Sequence, residues 1–258
     1  MVRRVEGAVP EVALNCVSKS FASGVTALRE ISLSVERGEF VTFLGPSGCG
    51  KSTLLRIVSG LSIPTGGTVQ VNGMTPKNAR EITSFLFQDA TLLPWRTVEQ
   101  NVGLGMELEH VARDVRRDRT TRMLALVGLT DAAARYPRQL SGGMKMRVSI
   151  ARALAGRPRL LLMDEPFAAL DEIARDQLNE DLLRLYLDQQ WTVLFVTHSV
   201  AEAVFLSTRI VVLAPHPGRV AGELAVDLPW PRTAEARDSR AFEELVTQAS
   251  RLLRGVHL

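Results

Sequence analysis

Cysteine is nearly missing from this sequence: only Cys16 and Cys49 occur in 258 residues. That excludes a disulfide scaffold and fits a reducing cytoplasm. Taken alone, Cys16 reads as a small core residue. Long apolar runs are also missing. Apolar runs such as those at 193–196 and 210–214 fall far short of the ~18–20 residues that cross a bilayer, so any membrane role has to be supplied by partner chains. The opening run MVRRVEGAVPEVALNCV has two early arginines, but Glu6, Pro10 and Glu11 interrupt it before an apolar stretch of signal length develops; no export signal is read there. No dense Lys/Arg block appears, and 31 basic against 28 acidic residues leave a formal charge of +3, so nucleic acid is not a favoured partner. Internal repeats are absent. The three histidines other than His198 have no metal-ligand spacing with cysteine, so a structural zinc site is not indicated.

What the chain does have is enough apolar residue, 46% against 23% charged, to bury the core of one domain with a subdomain. Apolar and polar residues alternate at Val12, Leu14 and Cys16 and again at Ile31, Leu33 and Val35, which predicts half-buried antiparallel strands. Val69 and Val71 before Asn72-Gly73 predict another strand and a turn. Residues 40–44 form a strand-type run, followed at once by GPSGCGKST and then by Leu54, Leu55, Ile57 and Val58 at helical spacing. From about 89 to 156 the sequence is charged and helical. Strand patterns return at 160–163, 192–196 and 210–213 with helix-like stretches between them, the rhythm of a parallel sheet. After Pro215 comes a link containing Pro, Gly and Trp. The chain ends in an amphipathic stripe of Phe242, Leu245, Val246, Ala249, Leu252, Leu253 and Val256.

Residues 45–52, GPSGCGKS, match G-x-x-x-x-G-K-[ST] in the strand-to-helix setting the pattern requires. Glycines let successive backbone N–H groups face phosphate oxygens and the helix offers its positive end. Lys51 is then placed to reach the β/γ oxygens and Ser52 to ligate Mg²⁺. The pattern arises by accident in roughly one chain per hundred of this length. LLLMDE at 160–165 supplies the acidic counterpart: Asp164 leaves the end of a buried strand to hold the metal, and Glu165 is next, placed to polarise a water. LSGGM at 140–144 precedes a helix-like run. Ser141 is a good helix cap, and Gly142 and Gly143 permit close backbone approach to an anion; alone, such a run is an ordinary flexible turn.

With these three motifs in order, the chain resembles the ABC transporter ATPases over nearly its whole length. Their signature sequence, LSGGQ, presents Ser and Gly amides to the γ-phosphate of ATP held by the opposite subunit. The resemblance implies an α/β P-loop NTPase fold: a mainly parallel core sheet, an antiparallel β subdomain, a helical subdomain at about 89–156 and a carboxyl-terminal extension at about 216–258, within one ABC ATPase domain. It implies ATP binding by Gly45, Pro46, Ser47, Gly48, Cys49, Gly50, Lys51, Ser52 and Thr53, and adenine stacking on Phe21. Gln88 becomes the hinge glutamine that senses Mg²⁺, alongside Ser52 and Asp164. Glu165, His198 and Lys51 become the catalytic set, with His198 contacting γ-phosphate, and Asp171 of AALD an interface residue. Taken singly, Phe21 reads as packing, Gln88 as a solvated loop residue and His198 as a structural histidine; their roles are what the resemblance implies, given their order along the chain. Three positions depart from the family pattern: Met144 and Met146 stand where glutamine is usual, and Ser199 where aspartate is common.

The resemblance further implies a second ATPase subunit, another copy of this chain: one chain carries one phosphate loop and one signature, so a complete site needs a head-to-tail pair. Transmembrane permease subunits and, indirectly, an extracytoplasmic solute-binding protein are the other partners, and the location is peripheral, at the cytoplasmic face of the cell membrane. FQDATLLPWRTVEQNV at 87–102 and AVFLSTRIVVLAPHPGRV at 203–220 resemble bacterial importers for nitrate, sulfonate, taurine and related small anions. A non-transport ABC ATPase acting on nucleic acid, an exporter subunit and a P-loop kinase stay open as alternatives. The kinase leaves LSGGM, Asp171 and His198 unexplained.

Overall fold

The computed structural model describes residues 9–168 and 170–256; residues 1–8, on which part of the export-signal reading falls, lie outside them. Strands β1 (Val12–Ser20), β2 (Thr26–Val35) and β4 (Gly66–Val71) form an antiparallel sheet in the order β2-β1-β4. A six-stranded sheet is built from β3 (Phe40–Leu44), β5 (Thr83–Leu86), β6 (Leu160–Asp164), β7 (Thr192–Thr197), β8 (Arg209–Ala214) and β9 (Arg219–Ala225), in the order β5-β6-β7-β3-β8-β9. It is parallel except for β9, which runs antiparallel to β8.

The central strands are apolar on both faces, and their alternation sorts side chains into two cores. Leu160, Leu162, Leu194 and Val196 face α1 (Lys51–Val58) and the inner side of the antiparallel sheet. Leu161, Met163, Val193 and Phe195 face the opposite side, where α5 (Gly142–Ala155), α6 (Glu172–Gln189) and α7 (Val200–Leu206) cover them. Each such side chain contributes ~1.5–3 kcal/mol by leaving water. Short helices α2 (Val98–Val102) and α3 (Leu104–Leu108), with α4 (Arg113–Leu126), pack on α5. The terminal stripe forms α8 (Arg240–Gly255), seated on α7, β8 and β9.

Three expectations need correction. Cys16 is exposed, not in the core: Asn15 and Cys16 together oppose Ser32, a bulge that puts Val17 where strict alternation would put residue 16. Cys16 takes φ 49°, and facing it Gly67 has no room for a side chain, since a Cβ would lie 2.3 Å from the Cys16 carbonyl oxygen. The link after Pro215 contains β9, whose half-exposed residues include Gly222 and make no apolar run. Strand β5, only four residues with Thr and Ser among them, was likewise not anticipated.

Candidate functional site

Sheet register gathers the chemistry-bearing residues at one edge. Leu44 pairs with Thr197, and Asp164 pairs with Val196, so the carboxyl ends of β3, β7 and β6 lie level. Gly45, Glu165 and His198 leave from there, the place where parallel α/β sheets bind ligands. Gly48 and Gly50 have φ of 79° and 96°, and a Cβ on Gly45 would lie 2.7 Å from the Leu213 carbonyl oxygen. Gly45 is thus held by its approach to β8 and Gly50 by its approach to Ala27 and Leu28 of β2, whereas Gly48 has open space and owes its place to the positive φ alone. Pro46 is half-buried, Ser47 is exposed, and Thr53 lies in the first turn of α1.

Lys51 is buried, its Nζ donating to the carbonyl oxygens of Gly45 (2.7 Å) and Pro46 (2.9 Å). Burial pushes the Cys49 thiol up, opposed by the neighbouring Lys51 charge. Ser52 Oγ donates to Asp164 Oδ1 at 2.7 Å, tying the start of α1 to the end of β6. Burial, helped by the Glu165 charge, raises the Asp164 pKa; the Ser52 hydrogen bond and the Arg56 and Lys51 charges oppose it. Glu165 takes φ 45°, an uncommon conformation for a side chain of its size. Its Oε2 lies 3.3 Å from His198 Nδ1.

Lys51, Ser52, Asp164, Glu165 and His198 are thus brought together. The other expected residues sit apart. Phe21 is 45% exposed beside the β1–β2 turn, with Lys19 Nζ 5.3 Å from its ring centroid. Gln88 is exposed in the loop after β5. Asp171 caps α6, its Oδ1 accepting from Ala174 N at 2.9 Å. Ser141 caps α5, its Oγ accepting from Met144 N at 3.3 Å. Among the described residues no hydrogen bond joins residues 141–143 to the 45–53 loop. Gly142 has neither positive φ nor any atom within 4 Å of where a Cβ would sit, so this chain's own packing does not require glycine there. The departures have local reasons: Met146 is buried and Met144 packs on the same core, while Ser199 caps α7 by accepting from Glu202 N at 3.3 Å.

Several contributors were not anticipated. Gly218 closes the back of the phosphate loop: its N–H donates to Ala27 O at 2.9 Å, and a Cβ would lie 2.2 Å from Cys49 O. Arg152 on α5 holds the loop after Gln88 by donating to Thr91 O (2.9 Å) and Ala90 O (3.0 Å). Asn101, fully buried, pins the same loop through Leu93, Arg96 and Thr97. An Asn in a helical, charged stretch and a Gly in a link carry no distinctive local signal.

Residues 28–168 match the family described as ABC transporter. The chain is 42% identical over 248 residues to the nitrate import ATP-binding protein NrtD of Synechocystis sp., covering 94% of this chain and 93% of that protein. It is also 42% identical over 230 residues to the aliphatic sulfonates import ATP-binding protein SsuB of Bacillus licheniformis, covering 88% of each. Among solved structures, the dimeric post-hydrolysis state of the ATP-binding cassette MJ0796 bound to ADP and Pi superposes with a TM-score of 0.76 at 33% identity, covering 84% of this chain and all of that one. Phosphate loop, acidic strand end and serine-capped, glycine-led helix agree with these likenesses, and the chain belongs to the ABC transporter family, as an ATP-hydrolysing ATP-binding subunit.

Proposed function

We propose that this subunit hydrolyses ATP between two head-to-tail copies and thereby drives import of a small anion of the nitrate, sulfonate or taurine type through transmembrane permease subunits. One observation carries the composite site: a serine-capped helix start with two glycines, Gly142 free of any contact a Cβ would make, stands apart from the loop that holds Lys51. Glycine in the first turn costs the helix up to ~1 kcal/mol relative to alanine. Close approach of an anion held by another copy offsets that cost.

In this reading the backbone N–H groups of 45–53 and the Lys51 ammonium hold the β- and γ-phosphates, and Phe21 stacks on adenine. Glu165 orients the attacking water and draws on its proton. As the water oxygen bonds to Pγ, the bond from Pγ to the bridging oxygen breaks and ADP leaves with the electron pair. His198 and the partner copy's signature serine brace the transferring group. Ser52 Oγ and Asp164 Oδ1, two hard oxygens 2.7 Å apart with the carboxylate buried, fit Mg²⁺. No group of three or more His, Cys, Asp or Glu among the described residues could hold a metal alone, which suits an ion completed by phosphate oxygens. Mg²⁺ would neutralise charge on those oxygens, with Gln88 sensing it.

The whole chain serves as one ATPase domain in this account. Its motion passes to the permease through a groove near Gln88, its helical part spans about 89–156, and its carboxyl-terminal part, from about 216, starts with the edge strand β9. A peripheral place on the cytoplasmic face of the membrane follows; no helix of the described residues is long and apolar enough to cross a bilayer. The test is isolation of the intact complex with its solute-binding partner, followed by mass spectrometry of the bound solute. A small oxyanion or sulfonate is expected, together with faster ATP turnover when it is added; a cationic or uncharged solute would overturn the assignment.

A further inference from the structure

His198 is poorly fixed by its own side chain. The imidazole is 59% exposed, and the contact that holds it is Glu165 at 3.3 Å. Where it points is therefore set by its backbone, at the entrance to α7. That helix is seven residues long, about 10 Å from end to end, and both of its ends are gripped. At the near end Thr197 Oγ1 donates to the buried Glu202, and Ser199 N donates to Thr197 Oγ1 at 3.0 Å, bracketing residue 198.

The far end is held by a different part of the chain. Arg232 is buried and donates through Nη1 to the carbonyl oxygens of Phe205 (2.9 Å), Ser207 (2.8 Å) and Val204 (3.2 Å), and through Nη2 to Val226 O (3.4 Å). The last carbonyls of a helix have no partners within it and carry its negative end, so a guanidinium suits the place. Its plane stacks on Trp230, 4.0 Å away, and Trp230 in turn lies against Tyr186 of α6. Five residues further on, the Arg237 guanidinium covers the Phe205 ring at 4.0 Å and pairs with Asp176 of α6. Two arginines on one strap thus bind α7 at its carboxyl end and tie it to α6, the helix that Asp171 opens.

We propose that Arg232 and Arg237 are positioning residues for hydrolysis: the strap at 226–238 clamps the far end of α7 and so sets where His198, at the near end, presents its imidazole. The proposal rests on the reading that His198 contacts the γ-phosphate. It gives the segment between β9 and α8 a role in turnover, not only in packing.

Arg237→Gln is the leading variant because it leaves the buried Arg232 in place; Arg237→Lys is its conservative partner. Turnover of Arg237→Gln is expected to fall ~10-fold with KM for ATP within about twofold, because the phosphate loop is untouched while the bracing group is displaced. Arg237→Lys recovers most of the loss. In a His198→Ala background Arg237→Gln should change turnover less than about twofold, since the two act as one unit. A second readout is the histidine ring NMR cross-peak that disappears in His198→Ala. It should move in Arg237→Gln and in Arg232→Lys at temperatures where both are folded. Equal losses in the two backgrounds, or an unmoved cross-peak, would overturn the clamp. Normal turnover in His198→Ala alone is a different result: it would remove the histidine's own role and the clamp's with it.

Discussion

Glu165 combines a side chain with a backbone conformation that favours glycine, at φ 45°. Such positions cost on the order of 1–3 kcal/mol and persist where the surroundings enforce them. Here the Glu165 N–H donates to Val196 O at 3.0 Å, which fixes the turn at the end of β6 and aims the carboxylate toward His198. Two variants separate aim from strain. Glu165→Gln keeps the shape and should bind ATP normally while losing at least ~100-fold in turnover; near-normal turnover would remove Glu165 from its role. Glu165→Gly should raise thermal stability by roughly 1 kcal/mol while abolishing turnover; a fall in Tm would show that the backbone there is relaxed. The two thiols differ as sharply. Cys16 lies exposed on its bulge, whereas Cys49 is buried and its thiol is pushed up by that burial. A thiol reagent should label one residue of the native protein, Cys16, and both after unfolding; labelling of Cys49 in the native state, followed by mass spectrometry, would contradict the burial.

At the level of elements, legibility in the sequence followed how much a segment's own residues decide. β3, β6, β7 and β8 are buried on both faces and announce themselves as apolar runs; their observed bounds extend the expected ones by no more than a residue at either end. α5 and α6 carry their own caps, Ser141 and Asp171. What stayed hidden is set from outside the segment. β9 and β5 become strands because β8 and β6 offer free edges, not because of their own composition. The bulge at Cys16 depends on Ser32, whose Oγ accepts from Cys16 N at 3.0 Å. Gly218 is required by the approach of a loop 169 positions earlier in the chain, and the site register by three strands that the sequence separates. The Gly218 contact carries its own test. Gly218→Ala should cost ~1–3 kcal/mol by overpacking against Cys49 O and Ala27 O, and should weaken ATP binding because the phosphate loop is what yields. Unchanged stability, measured by denaturant unfolding, would mean that the close approach is not kept in solution.

For the molecule as a whole, the separation of the 45–53 loop from the helix start at 141–143 matters most. The 45–53 loop sits on the central sheet, while Ser141, Gly142 and Gly143 open a helix of the helical part and make no hydrogen bond to that loop among the described residues. In the proposed two-chain site one copy would have half of each of two sites, and ATP would be the ligand whose preference for the paired state closes them. The motifs lead to the expectation of a pair; the geometry adds that Gly142 is not needed by its own chain. The most direct measurement is the solution mass of the Glu165→Gln protein with Mg²⁺ and ATP. It should double from 28.3 kDa, and Gly142→Asp, which sets a carboxylate against the bound phosphate but suits a helix start, should return it to the single-chain value without loss of fold. A Glu165→Gln protein that binds ATP and stays at the mass of one chain, or a Gly142→Asp version that pairs as before, would contradict the two-chain site.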